Sequence, residues 1–157
     1  MSAEANRALI QRFYYEGWNK GNIGLYDELV TEDFVDHRAA VPGIPDGREG
    51  FKLMNAMLHA AFPVQVELLN IVAEDDKVAA VWRSTGTHEG ELWGIPATGK
   101  HVDFTATVLY HVRDGRLSEG WITRDDLGMM RQIGVIPPPD SATGNGNTAE
   151  GSVEEQA

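Results

Sequence analysis

The chain has 157 residues, 42% of them hydrophobic, and a formal net charge of -11, which is enough apolar material for one core and too little for two. So acidic a protein repels a phosphate backbone and an anionic bilayer, and without cysteine it has no disulfide, thiolate zinc site or cysteine nucleophile. No basic-then-apolar leader and no run of about 18 apolar residues occurs, so the expectation is a cytoplasmic protein with neither nucleic-acid nor membrane partner.

Leu9, Ile10, Phe13, Tyr14 and Trp18 recur at helical spacing before Gly21-Asn22, predicting a first helix. A second short helix is expected over 25–30, a short strand at Asp33 to His37, and a third helix from Arg48 to Ala61 with Phe51, Met54, Leu58 and Phe62 on one face. Beyond Pro63 the period changes to two, predicting long strands near 64–74, 78–88, 99–112 and 116–125. Helices followed by a meander predict an α+β fold with a curved antiparallel sheet packed on N-terminal helices around an apolar pocket. This domain spans residues 1–136. Residues 137–157 begin with three prolines and carry four acidic residues but no Lys, Arg or aromatic, the composition of a disordered acidic tail.

The last hairpin decides which side chains share a face. A two-residue type I′ turn at Asp114-Gly115 sets Phe104, Ala106 and Tyr110 opposite Asp125, Thr123 and Glu119, mixing charge into an apolar face. A type I turn with Gly115 as a G1 bulge pairs Val108 with Gly120 and Ala106 with Ile122 instead, and this is the adopted register. It puts Val102, Phe104, Ala106, Val108, Tyr110, Gly120 and Ile122 on the concave side. Thr105, Thr107, Glu119, Thr123 and Asp125 fall on the convex side.

Four segments, Glu32 to His37, Gly43 to Gly50, Gly86 to Gly90 with Gly94 to Gly99, and Asp125 to Gly134, occur in order and at spacings that resemble the SnoaL-like polyketide cyclases. The likeness covers about residues 5–136. It implies a cone-shaped fold of the nuclear transport factor two-like superfamily, usually dimeric, with a ligand pocket between sheet and helices. In the aldol-type members of that family an aspartate in the last strand acts with a histidine two residues before it. Those positions are Ile122 and Gly120 here, and the family's polar pocket positions across the hairpin fall on Ala106 and Val108. All four are apolar, so the usual acid/base is missing.

Several polar residues remain as candidates. Tyr110 lies on the concave face and can donate to a ligand oxygen. Asn55 sits in the apolar stripe of the third helix, where an unbonded amide is costly, so it needs a protein or ligand partner. His37 follows Asp36, a carboxylate that could orient it for proton transfer. His88 suits either a substrate contact or a bond to loop backbone. Arg124 stands at the mouth, and Trp18, Met54, Trp82, Trp93 and Phe104 shape the cavity. Asp125, ahead of Leu127-Gly-Met-Met-Arg-Gln, reads as a helix N-cap. His37 and His88 lack a third ligand, so no metal is expected, and no cofactor.

The expected activity is a cofactor-independent cyclase that closes a ring, by cycloaddition or a similar step, in a polyketide-like or terpenoid-like intermediate. Such a protein belongs to natural-product, for instance antibiotic, biosynthesis. Tyr110, His37, Asn55 and Asp36 are the catalytic candidates. The alternatives are acid-assisted epoxide opening with pyran-type cyclisation, an aldol polyketide cyclase, and a non-catalytic small-molecule-binding domain. A homodimer is expected from the family likeness and from Trp121, a large apolar residue on the otherwise polar convex face.

Overall fold

A computed structural model describes residues 2–38 and 41–138. From residue 139 onward the tail expected over 137–157 lies outside the described residues. The first helix, α1 (Ala3–Arg12), is capped by Ser2, whose hydroxyl accepts from the Ala5 amide at 3.2 Å. It runs on as a π-helix over Phe13–Trp18. The wider turn brings Phe13, Tyr14, Gly17 and Trp18 to the inside together, all buried. α1 is tied across the sheet by Asn6, which donates to the Asp75 carbonyl at 2.8 Å, and by Arg7, which donates to the Ile71 carbonyl at 2.6 Å. A 3₁₀ turn (Ile23–Leu25) leads into α2 (Tyr26–Leu29) and then β1 (Val30–Asp36).

α3 (Gly47–Ala61) buries Phe51, Met54, Asn55, Leu58 and Ala61 on one face, close to the expected stripe. A Cβ on Gly50 would meet the Pro45 carbonyl oxygen at 1.6 Å, so only glycine lets the preceding loop close on this helix. The strands follow as β2 (Gln65–Glu74), β3 (Lys77–Thr87), β4 (His101–Arg113) and β5 (Arg116–Arg124), and α4 (Asp126–Gln132) closes the domain. Strand order is β1-β5-β4-β3-β2. The meander is antiparallel as expected, but β1 joins β5 in parallel and makes the sheet mixed. No tight hairpin constrains β1, which is far from β5 in sequence, so its direction is set by packing. Among the described residues no helix is long and apolar enough to cross a membrane.

The hairpin between β4 and β5 corrects the expected register. Asp114 (φ 49°) and Gly115 (φ 76°) are both left-handed and connect Arg113 to Arg116, the two-residue type I′ turn. The charge conflict that argued against this turn is removed further along the ladder. A bulge between the Val112–Leu117 and His111–Glu119 pairs, at Ser118, inserts one residue. Beyond it Tyr110 faces Gly120, Val108 faces Ile122 and Ala106 faces Arg124. The observed pairs differ from the expected ones by two residues, so every side chain keeps its expected face while changing its partner.

Candidate functional site

The inner face of the sheet and the helices line a narrow cavity, about 560 Å³ of non-atom space when the gaps between side chains and the open mouth are counted. Among the sequence-derived candidates, Trp18, Asn55, Trp82, Phe104, Tyr110, Ile122 and Arg124 line it. It opens into a wider groove along β1 and the start of α3, where Asp36, His37, Met54 and Trp93 lie. Arg38, Leu58, Ile122 and Arg124 belong to both and form the junction. Four other expected contacts, Ala106, Val108, Gly120 and His88, are outside both linings. Ala106 and Val108 are core residues, 3% and 1% exposed. Gly120 is roofed by a ring: a Cβ there would lie 2.7 Å from Tyr110 Cε1.

His88 is fully buried and stacks on Phe62 with ring centroids 4.6 Å apart. Its Nδ1 lies 3.0 Å from the Thr98 hydroxyl and accepts from the Thr98 amide at 3.3 Å. Backbone bonds from His88 to Lys100 and from Gly99 to His88 close the same loop. His88 is therefore bonded to its own loop.

The inner polar groups form a short chain. Trp82 Nε1 donates to the Tyr14 hydroxyl at 2.9 Å, and the Tyr14 and Tyr110 hydroxyls are 3.4 Å apart. With its oxygen already accepting from Trp82, Tyr14 can offer its proton to Tyr110, which leaves the Tyr110 O–H for a ligand oxygen. Burial pushes the Tyr110 phenol up to about 12, and burial raises Tyr14 well above the usual phenol range. Both are therefore neutral donors at physiological pH. Asn55 donates to the Phe51 carbonyl one turn back at 2.6 Å, which gives its buried amide a protein partner.

At the junction, Arg38 and Arg124 are each held by a carboxylate two residues away. Arg38 Nε binds Asp36 at 2.7 and 3.0 Å, and its guanidinium carbon sits 5.7 Å from the centre of the Phe51 ring. Arg124 Nε bonds Asp126 at 2.5 Å. Asp36 therefore serves Arg38 rather than orienting His37, because adjacent strand residues point to opposite faces. His37 turns outward: its Nε2 is 2.6 Å from Glu119 Oε1, and its ring stacks on Trp121 at 4.2 Å. His111 Nδ1 reaches the other Glu119 oxygen at 2.9 Å. The bond from His37, with help from His111, holds the Glu119 carboxyl below its usual range. Among the described residues no three His, Asp or Glu side chains converge as a metal site requires.

A family model described as SnoaL-like polyketide cyclase matches residues 8–133. The chain belongs to the SnoaL-like polyketide cyclase family. Aklanonic acid methyl ester cyclase DauD of Streptomyces sp. (strain C5) is 30% identical over 121 residues, spanning 72% of this chain and 74% of DauD. Among solved structures, IdmH, a candidate polyketide cyclase from Streptomyces antibioticus, is 33% identical with a TM-score of 0.70, covering 82% of this chain and 97% of IdmH. A candidate SnoaL-like cyclase from Jannaschia sp. CCS1 is 28% identical with a TM-score of 0.76, covering 86% and 95% of the two chains. The α+β cone expected from the sequence is the fold these family members share. The named relatives are cyclases, which supports the same kind of enzyme here.

Three polar residues of the cavity escaped the sequence reading. Tyr14 falls within the apolar periodicity of the first helix, where a phenol is indistinguishable from core. Arg38 follows Phe34 and Asp36 at strand parity, a signal hidden by ending the expected strand at His37. Ser84 stands between Trp82 and Gly86 on the inward parity of β3, and a hydroxyl at an inward position was the cue.

Proposed function

We propose that this SnoaL-family chain is a cofactor-independent cyclase that closes a ring in a polyketide-like intermediate by an orientation-driven step, cycloaddition or similar. One observation carries the reading: among the described residues, the cavity lining holds phenols, a hydroxyl, indoles, an amide and two guanidiniums, but no Asp, Glu or His. Proton abstraction inside this cavity has no base, and Ile122 occupies the position that the family likeness assigns to the aspartate. Asp36 and Asp126 line the outer groove, where each binds an arginine. What such a cavity does supply is shape and donors. Well-aligned intramolecular reactions recover about 7 to 11 kcal/mol of barrier, and a donor that strengthens its bond to a developing partial charge adds to this.

In this reading the substrate's reactive carbonyl accepts from Tyr110, Asn55 helps shape the inner wall, and Arg38 with Arg124 steadies a polar or anionic group at the junction. Asp36 sets the Arg38 guanidinium, and His37 acts from outside the cavity as part of the β1–β5 edge. The product belongs to natural-product assembly of the antibiotic type, in a cytoplasmic setting. The working unit is a homodimer formed through the outer sheet face, whose cross-strand row Val72–Ala79–Leu109–Trp121 is apolar. Val72 is 60% and Trp121 36% exposed in the single chain.

The test is a linear polyketide-like intermediate with a diene and an activated alkene, followed by chromatography with and without protein. Protein should accelerate appearance of the cyclised isomer, and Tyr110→Phe should slow it about tenfold, the worth of one buried hydrogen bond. Equal rates with and without protein reject the enzyme and leave a binding domain.

A further inference from the structure

Two hydrogen-bond donors on residues that line the cavity have no acceptor among the described residues. Trp18 Nε1 and Ser84 Oγ are shut off from solvent and unpartnered among the described residues. Trp18 is 9% and Ser84 1% exposed, and both residues line the cavity. The other buried orphan atoms, on Asn6, Tyr26, Thr31, Arg48, His88 and Arg131, belong to residues outside the lining. An unbonded indole N–H or hydroxyl in an apolar interior is costly, and removing the polar atom is the cheaper solution wherever packing alone matters. Two such groups in one cavity wall mark a place where an acceptor is meant to arrive.

The fold brings the pair to one end. Asn19, the residue after Trp18, clamps β2 with two bonds of 2.8 Å, donating to the Val66 carbonyl and accepting from the Val66 amide. Val66 is the direct cross-strand partner of Ser84. The π-helix that carries Trp18 is thus fastened at the sheet position that presents Ser84. Among the described residues, the arginines that line the cavity are Arg38, just after β1, and Arg124, at the end of β5. Ser84 on β3 and Arg124 on β5 are separated by two interstrand spacings, about 10 Å. The Trp18–Ser84 end therefore suits an uncharged acceptor rather than a carboxylate.

We propose that Trp18 and Ser84 form a donor pair that binds a neutral oxygen, carbonyl or hydroxyl, at the inner end of the cavity. The proposal rests on the cavity being the substrate site and adds a chemical requirement: the substrate carries an oxygen on the part that is buried farthest from the arginine junction.

Calorimetric titration of the whole chain with 9-fluorenone and with fluorene tests it, since the two probes share a shape and differ by the carbonyl. Wild type should bind fluorenone about tenfold more tightly than fluorene. Ser84→Ala and Trp18→Phe should each reduce the preference to about threefold or less while leaving fluorene affinity within about twofold. Ligand-free Ser84→Ala should melt no lower than wild type, because it removes an unsatisfied group, whereas a purely structural hydroxyl would lower the melting temperature. Equal binding of both probes, binding of neither, or a preference that survives Ser84→Ala overturns the proposal. Ser84→Ala alone decides if Trp18→Phe does not fold. Since binding is the readout, a preserved ketone preference in a protein that accelerates no ring closure would keep the donor pair and remove the cyclase reading.

Discussion

Tyr110 occupies its place because residue 120 has no side chain. A Cβ on Gly120 would lie 2.7 Å from Tyr110 Cε1 and 3.0 Å from Phe34 Cζ, so the phenol ring fills the space directly over the glycine. Gly120→Ala should force the ring aside and cost about 1 to 3 kcal/mol, measured by urea unfolding, because overpacking a dense core strains rotamers and backbone. The protonation state of Tyr110 gives a second expectation. Its folded pKa, about 12, is raised above the ordinary phenol value of 10.0 by burial, so the neutral donor form persists throughout the neutral range. A rate that depends on this donor alone should be flat from about pH 6 to 9, whereas a rate that follows one ionisation near 6.5 would put a histidine at work. Asp36 and His37, adjacent in sequence, separate in the structure because strand geometry turns the Asp36 carboxylate to Arg38 and the His37 ring to Glu119 and Trp121.

At the scale of elements, the end of β5 and the start of α4 hold the cavity wall. Asp125 caps α4 by accepting from the Gly128 amide at 2.8 Å, and its own amide donates to the Thr105 carbonyl at 3.1 Å. Gln132 fastens the far end of α4, donating to the Asp103 carbonyl and accepting from the Asp103 amide, both at 2.7 Å. Between these ties Met129, 1% exposed, reaches the cavity. Asp125→Ala should lose about 1 kcal/mol of stability, the usual worth of a cap, seen as a lowered urea midpoint with an unchanged slope. A role for this carboxylate in turnover would instead appear as lost rate without lost stability. The N-cap could be read in the sequence because a cap is local. The Ser118 bulge could not, because only pairing against β4 distinguishes a strand with one residue too many from a turn of another type.

For the whole molecule, the sheet has two faces of different make-up. The inner one, with the helices, makes the cavity, and the outer one carries Trp121 between His37 and His111, with ring centroids 4.2 and 5.0 Å away. The proposed dimer on that face predicts twice the chain mass at micromolar concentration in sedimentation equilibrium and a monomer for Trp121→Glu. A wild-type monomer would remove this face from the functional unit. Because the cavity lies on the opposite side of the sheet, a monomeric variant that folds should still bind fluorenone.

Read alone, the amino-acid order was sufficient for the helix stripes, for the strands after Pro63 and for the face on which each residue of β4 and β5 lies. Those properties follow from a period of two or of about 3.6 within one element, and a register error of two residues leaves them intact. Partnership across elements was another matter. Tyr110 over Gly120, Asp36 bound to Arg38, His37 turned to Glu119, β1 parallel to β5, and Trp18 placed beside the β2–β3 ladder that presents Ser84 all depend on chain segments far apart in sequence. Steric fit, hydrogen bonding and one inserted residue at Ser118 select among arrangements that local periodicity leaves equal, so the apolar character of the pocket and Tyr110 as a donor could be anticipated while Tyr14, Arg38 and Ser84 had to be located in the folded chain.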